Sequence, residues 1–156
     1  MASPWPRTAP VRIGTLLTAV FLPAVCTLGC GSPAARPVPE GRDRITKLLN
    51  LYKAYVQKNK QGPPGEQALR EFGQKLSPEE REAQLIGNDL DAIFTSPRDN
   101  QKYEVRYGLK LEPGGKMTFV AWEATGQNGR RFVALSNGYV EEYSEESFKR
   151  YQSGAG

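Results

Sequence analysis

The spacing of apolar residues changes period once along this chain, near Ser96-Pro97-Arg98-Asp99-Asn100, and that change constrains the fold most. Before it, Ile45, Leu48, Leu49, Tyr52, Tyr55 and Val56 fall at i, i+3, i+4, i+7, i+10 and i+11. That is one stripe of an α-helix. After it, Tyr103, Val105 and Tyr107 alternate with Lys102, Glu104 and Arg106, the pattern of a half-buried strand. Helical period first and alternation second predict an α+β domain, with helices (one long) packed on a small antiparallel β-meander and a short C-terminal helix.

Punctuation residues place the elements. Asp43 is expected to cap the long helix, whose outer face carries Lys47, Lys53, Gln57 and Lys58, and Gly62-Pro63-Pro64-Gly65 stops it. A second helix should run from Glu66 to about Lys75, with Leu69, Phe72 and Leu76 on one side. Ser77-Pro78-Glu79-Glu80 has the form of a capping box, starting a helix that ends near Gly87. Leu90, Ile93 and Phe94 follow as a buried turn or strand. Further strands are expected at Met117–Ala124, Phe132–Leu135 and Tyr139–Tyr143. They are joined at Asn128-Gly129 and at Asn137-Gly138, the latter with a type I′ signature, and Glu112-Pro113-Gly114-Gly115 forms an earlier turn. Ser144 then caps a helix that docks through Phe148 and Tyr151. The meander's apolar face is expected to lie on the long helix, because no other sizeable apolar surface is evident.

The first 29 residues have the order of a secretory signal. Arg7 and Arg12 precede an apolar run from Ile13 to Val25, and small residues surround Cys30. The run is short for a spanning helix, which needs about 20 residues, and Pro23 interrupts it. Residues 30–41 then form a proline-rich tether. The expected division is a signal at 1–29, a tether at 30–41, the domain at 42–152 and a tail at 153–156. Plain secretion and a retained membrane anchor are the alternatives to lipidation.

Leu28-Gly29-Cys30-Gly31-Ser32 resembles the lipobox of bacterial lipoproteins, with Thr27 where that motif usually has Leu. The resemblance implies a thioether lipid on Cys30, cleavage after Gly29 and anchoring in the cell envelope. Gly31 implies the outer membrane, facing the periplasm. Leu48-Leu49-Asn50-Leu51-Tyr52, Gly62-Pro63-Pro64, Leu69 and Phe72, then Phe94 to Asp99 with Tyr103 and Tyr107-Gly108, resemble small bacterial lipoproteins of unassigned function. The succession of long helix, Pro-Gly break, second helix, Asp-containing turn and small sheet also resembles type II secretion pseudopilins and type IV pilin-like proteins. That likeness implies a fold but not filament assembly, since Pro23, Cys30 and the tether replace the long apolar assembly helix.

Composition narrows the chemistry. The chain has no histidine, and its only cysteines are Cys26 and Cys30, so the commonest general base and metal ligand are missing. No cofactor or metal is expected. Setting Arg7 and Arg12 aside leaves 19 basic against 17 acidic residues, interleaved along the sequence, which argues against nucleic acid as a partner. Ser96, Pro97, Arg98 and Asp99, with Tyr103, form the most distinctive local cluster. Arg98 could grip a carboxylate or phosphate with Asp99 orienting it. The plainer reading is a type I turn in which Asp99 pairs with Arg98 or Arg106.

Trp122, Tyr107 and Tyr139, with Tyr103 and Tyr143, could make an aromatic face for a peptide or glycan, or could simply pack sheet against helix. Asp89/Asp91 and Glu141/Glu142 read as exposed charge. Gly114-Gly115-Lys116 and Gly126 to Gly129 read as hairpin turns rather than phosphate loops. The leading expectation is a non-enzymatic, lipid-anchored interaction or structural module with envelope partners. A pilin-like subunit is the alternative. A remoter one is a hydrolase working without histidine, in which loss of turnover on changing Asp99 or Glu123 would be diagnostic.

Overall fold

The computed structural model describes residues 39–111 and 114–153. The signal, Cys30, the tether up to residue 38, Glu112-Pro113 and residues 154–156 lie outside them. The architecture is α+β: helices come first, then a four-stranded antiparallel sheet and a short C-terminal helix. No helix among the described residues is long and apolar enough to cross a membrane.

The long helix, α1 (Glu40–Asn59), starts three residues before the expected cap. Pro39 takes the N-cap position with extended backbone, and its carbonyl accepts from the N–H groups of Arg42 (2.9 Å) and Asp43 (3.1 Å). Asp43 therefore sits within the first turn. It pairs there with Lys47, as Glu40 pairs with Arg44, both at i,i+4 and both favourable to the helix dipole. Glu40 and Gly41, assigned to the tether by composition, belong to the helix. Ile45, Leu48, Leu49, Leu51 and Tyr52 are buried, and Lys60 closes the helix in a left-handed conformation.

Helix α2 (Glu66–Lys75) has the expected bounds. Helix α3 (Pro78–Ala83) opens with the expected capping box. Glu80 N–H donates to Ser77 Oγ at 3.2 Å, and Ser77 N–H donates to Glu80 Oε2 at 2.7 Å. It stops at Ala83, short of Gly87. The segment left open between turn and strand is a single 3-10 turn, Ala92–Phe94, with Asp89 accepting from the Ala92 N–H.

The strands are β1 (Glu104–Val105), β2 (Phe119–Trp122), β3 (Arg130–Leu135) and β4 (Val140–Ser144), in the order β1-β2-β3-β4. Strand β1 is only two residues long, because Tyr107 already lies in the next turn, where the Gly108 N–H bonds to the Pro63 carbonyl. A bulge at Val120 shifts the β2–β3 register between Phe119–Leu135 and Ala121–Ala134.

The two hairpin turns exchange the expected roles. Asn128 and Gly129 both have positive φ (54° and 69°), the requirement of a type I′ turn, and Gln127 and Arg130 exchange both backbone bonds around them. At Asn137-Gly138 only Gly138 has positive φ. The Gly138 N–H bonds to the Leu135 carbonyl and the Leu135 N–H to the Tyr139 carbonyl, giving a three-residue loop.

The sheet is covered on both faces. Val120, Ala121, Phe132, Ala134 and Val140 join the α1 core with Ile45, Leu48, Leu49 and Tyr52. Phe119, Val133 and Leu135 form a second cluster with Phe148 of α4 (Glu145–Gln152). Phe119 stacks on Tyr151, with ring centres 4.1 Å apart, and on Phe148 at 5.5 Å. The long helix is thus not the only apolar partner of the sheet. The unbroken buried run Phe132-Val133-Ala134-Leu135 is what a strand covered on both sides requires.

Candidate functional site

The period change at Ser96 brings the chain back across the end of the sheet where α1 begins. Ser96 N–H donates to the Gln101 carbonyl, and Asn100, with φ of 55°, donates back to the Ser96 carbonyl. The loop is therefore one residue wider than a type I turn.

Ser96 and Glu123 are completely buried. Ser96 Oγ donates to Glu123 Oε1 at 2.7 Å and accepts the Arg98 N–H at 3.1 Å. Glu123 Oε2 accepts the Phe132 N–H at 2.8 Å and lies 3.4 Å from the Arg98 guanidinium. Arg98 also bridges to Glu142 at 3.0 Å and donates to the Gln127 and Arg130 carbonyls. Its guanidinium lies 4.3 Å from the Phe132 ring centre.

Arg130 takes the other oxygen of Glu142 at 2.9 Å. Arg131, also buried, donates to the Glu123 and Ala124 carbonyls, pairs with Glu145, and stacks on Phe148. Three arginines and three carboxylates thus join the 96–101 loop to β3, β4 and the start of α4.

Asp99 does not orient Arg98, nor does it pair with Arg106. Its Oδ2 accepts from the Thr125 N–H (3.0 Å), the Thr125 hydroxyl (3.1 Å) and the Gly126 N–H (2.8 Å), and Oδ1 accepts from the Gln101 N–H (3.1 Å). Burial alone raises the pKa of this carboxyl. The hydrogen bonds outweigh it and hold the group below its ordinary value of 3.8. Tyr103 is buried and donates to the Gly41 carbonyl at 3.1 Å, and burial drives its phenol strongly up.

An open cleft of about 710 Å³ lies against this network, lined among others by Gly41, Arg42, Pro97, Arg98, Arg130 and Glu142. Gly41 is required there: a Cβ on it would stand 2.7 Å from Arg98 Cδ. Arg42 crosses the cleft to donate to the Val140 carbonyl at 2.9 Å.

The structure brings Ser96, Pro97, Arg98, Asp99 and Tyr103 to one end of the sheet. It does not assemble the aromatic face. Trp122 packs with Phe119 and Phe148 on the α4 side, Tyr107 packs on the α1 core, and Tyr139 is 66% exposed at the far turn. Glu141 and Glu142 face opposite sides of the sheet, opposite Val133 and Phe132 respectively. Asp91 pairs with Arg70. Arg131 had no part in the sequence expectations, Glu142 was read as exposed charge, and Gly41 was placed in the tether. The consecutive Arg130-Arg131 pair at the head of an apolar run was the available signal for two of the network's cations.

Among the described residues no group of three potential metal ligands converges. Compared with protein-family models, curated proteins and solved structures, the chain finds no match.

Proposed function

We propose that this chain is a non-catalytic, lipid-anchored protein of the cell envelope, held at the outer membrane facing the periplasm through Cys30 and acting as an interaction or structural module. The observation that carries this reading is how the first turn of α1 is fastened. The Gly41 carbonyl accepts from Tyr103, Arg42 donates to the Val140 carbonyl, and Arg98 lies over Gly41 while gripping Glu123 and Glu142. A domain on a tether feels every pull where the tether joins, and this is the residue range that carries the ties.

The same network argues against hydrolysis. A buried hydroxyl beside a carboxylate has the composition of a nucleophile and base. Here both groups are completely buried, so no substrate reaches the Ser96 hydroxyl, and the Phe132 N–H and Arg98 hold Glu123 in its charged form.

The test is the intact mass and N-terminus of the chain from detergent-solubilised membranes, with Cys30→Ser alongside. A chain starting at diacylated Cys30, released from the membrane at high salt by Cys30→Ser, is the expected result. An unlipidated chain keeping Ile13–Leu28, or membrane association unchanged in the variant, overturns it. Turnover of generic ester, peptide or glycan substrates that is lost in Asp99→Asn or Glu123→Gln would overturn the non-catalytic part.

A further inference from the structure

Charges that nearly balance over the whole sequence are unevenly placed along it. From Arg44 to Gly65 there are five basic residues and no acid; from Val105 to Trp122 the only acid is Glu112, and from Ala124 to Val140 there is none. The fold gathers parts of these three segments along the second half of helix α1, from Lys53 to just past its C-terminal end, about 20–30 Å from Pro39.

The contacts that assemble this far end are specific. Lys53 Nζ lies 3.3 Å from where a Cβ of Gly138 would stand, and Lys53 shares a hollow of about 410 Å³ with Leu111 and Asn137. Gly62, two residues after Lys60, sits so close to Leu109 that a Cβ would be 2.4 Å from its carbonyl oxygen. Lys110 follows directly. The Lys116 carbonyl accepts from Ser136, and Asn137 Nδ2 donates to Met117 Sδ at 3.6 Å. Lys60, Lys110 and Lys116 are exposed and Lys53 is half-buried. None of the four meets a carboxylate within 4.0 Å among the described residues, whereas Arg98, Arg130 and Arg131 each do. Met117, 39% exposed, lies among them, and Tyr139, 66% exposed, marks the edge of the patch nearest the cleft, next to Val140.

We propose that this far end is an attachment surface for an anionic phospholipid bilayer, formed by Lys53, Lys60, Lys110 and Lys116 around Met117 and Tyr139. Lysine suits this partner. Its ammonium is a mobile, hydrated point charge on an apolar stem, fitted to a diffuse layer of phosphates, while forked recognition of one fixed anion calls for arginine. An exposed tyrosine and a thioether between lysines supply the amphipathic groups that settle at headgroup depth. Each lysine near an anionic surface raises partition roughly fivefold. The surface is separate from the Cys30 anchor and gives the domain a second, salt-sensitive hold on a membrane.

The test uses the full chain carrying Cys30→Ser, so that it does not depend on lipidation. Binding is measured by sedimentation with sucrose-loaded vesicles of phosphatidylcholine alone or with 30% phosphatidylglycerol. The expected result is at least tenfold stronger partition onto the anionic vesicles. This preference is abolished by Lys53, Lys60, Lys110 and Lys116→Gln together. It is kept by the charge-matched set Lys47, Lys75, Lys102 and Lys149→Gln, with both sets folded at the assay temperature. Equal binding to both vesicles, or equal losses in the two sets, overturns the proposal. So does preference for a soluble acidic polysaccharide over anionic vesicles, which would make the partner a polymer.

Discussion

The two ends of this domain use positive charge in opposite ways. Where α1 begins, the cations are arginines, and Arg98, Arg130 and Arg131 are bound to carboxylates, carbonyls or aromatic rings. Where α1 ends, Lys53, Lys60, Lys110 and Lys116 meet no carboxylate within 4.0 Å among the described residues. A guanidinium presents five donors in a fixed plane, so one side chain can satisfy several acceptors from different elements and hold them in register. An ammonium on four methylenes holds little in place. The near end therefore uses its charge for its own structure, and the far end's charge is available for the membrane attachment proposed above. Substitutions at the two ends should separate stability from binding.

The largest effect is expected at Glu123. Replacing it with Ala leaves Arg98, the Ser96 hydroxyl and the Phe132 N–H without their buried partner, and removing one side of such a pair costs about 3–5 kcal/mol. Urea unfolding should show the unfolding free energy in water fall by that amount. A loss under about 1 kcal/mol would mean that the near-end network is ornamental, and the contrast between the ends would fail. Arg98→Lys comes next. It keeps the charge but cannot reach Glu123, Glu142 and two carbonyls at once, and should lose about 1.5–3 kcal/mol, the worth of hydrogen bonds to a charged group. If Lys proves as good as Arg there, charge rather than geometry holds the loop.

The local fold was readable because its signals are local. The Ser77–Glu80 capping box, the Gly62–Gly65 break and the Ser144 cap depend on residues within three positions of one another, and they appear as expected. The network was not readable, since Glu123 and Ser96 are 27 residues apart and only the sheet makes them neighbours. The same limit explains the charge pattern. Basic and acidic residues nearly balance over the whole sequence, but the segments that meet at the far end are those that carry almost no acids. Pro39 hid the start of α1 because it lacks the capping side chain that normally announces one. The type I′ turn went to Asn128-Gly129, where Arg130 starts β3 directly. After Leu135 the loop needs a third residue, so Asn137 keeps a negative φ.

Asp99 should give a smaller, pH-dependent effect. Its folded pKa is depressed, so its stabilising contribution is present above the unfolded value near 3.8 and is lost as pH falls through the lower folded value. Asp99→Asn should therefore be less stable than the parent at pH 7, and the gap should narrow as pH drops below about 4. A gap that stays constant down to pH 2 would show that the carboxylate's charge contributes nothing beyond the shape of the loop.

The smallest effect on stability is expected at the far end, and it sharpens the comparison most. Lys53, Lys60, Lys110 and Lys116→Gln together remove four positive charges from a domain whose ion pairs among the described residues lie elsewhere. Surface substitutions away from caps and networks usually stay within about 0.5 kcal/mol, and relief of like-charge repulsion works in the variant's favour. The unfolding midpoint should therefore hold or rise slightly. A fall comparable to that of Arg98→Lys would mean that these ammonium groups are structural partners after all. The difference between the ends would then be one of residue type and not of purpose.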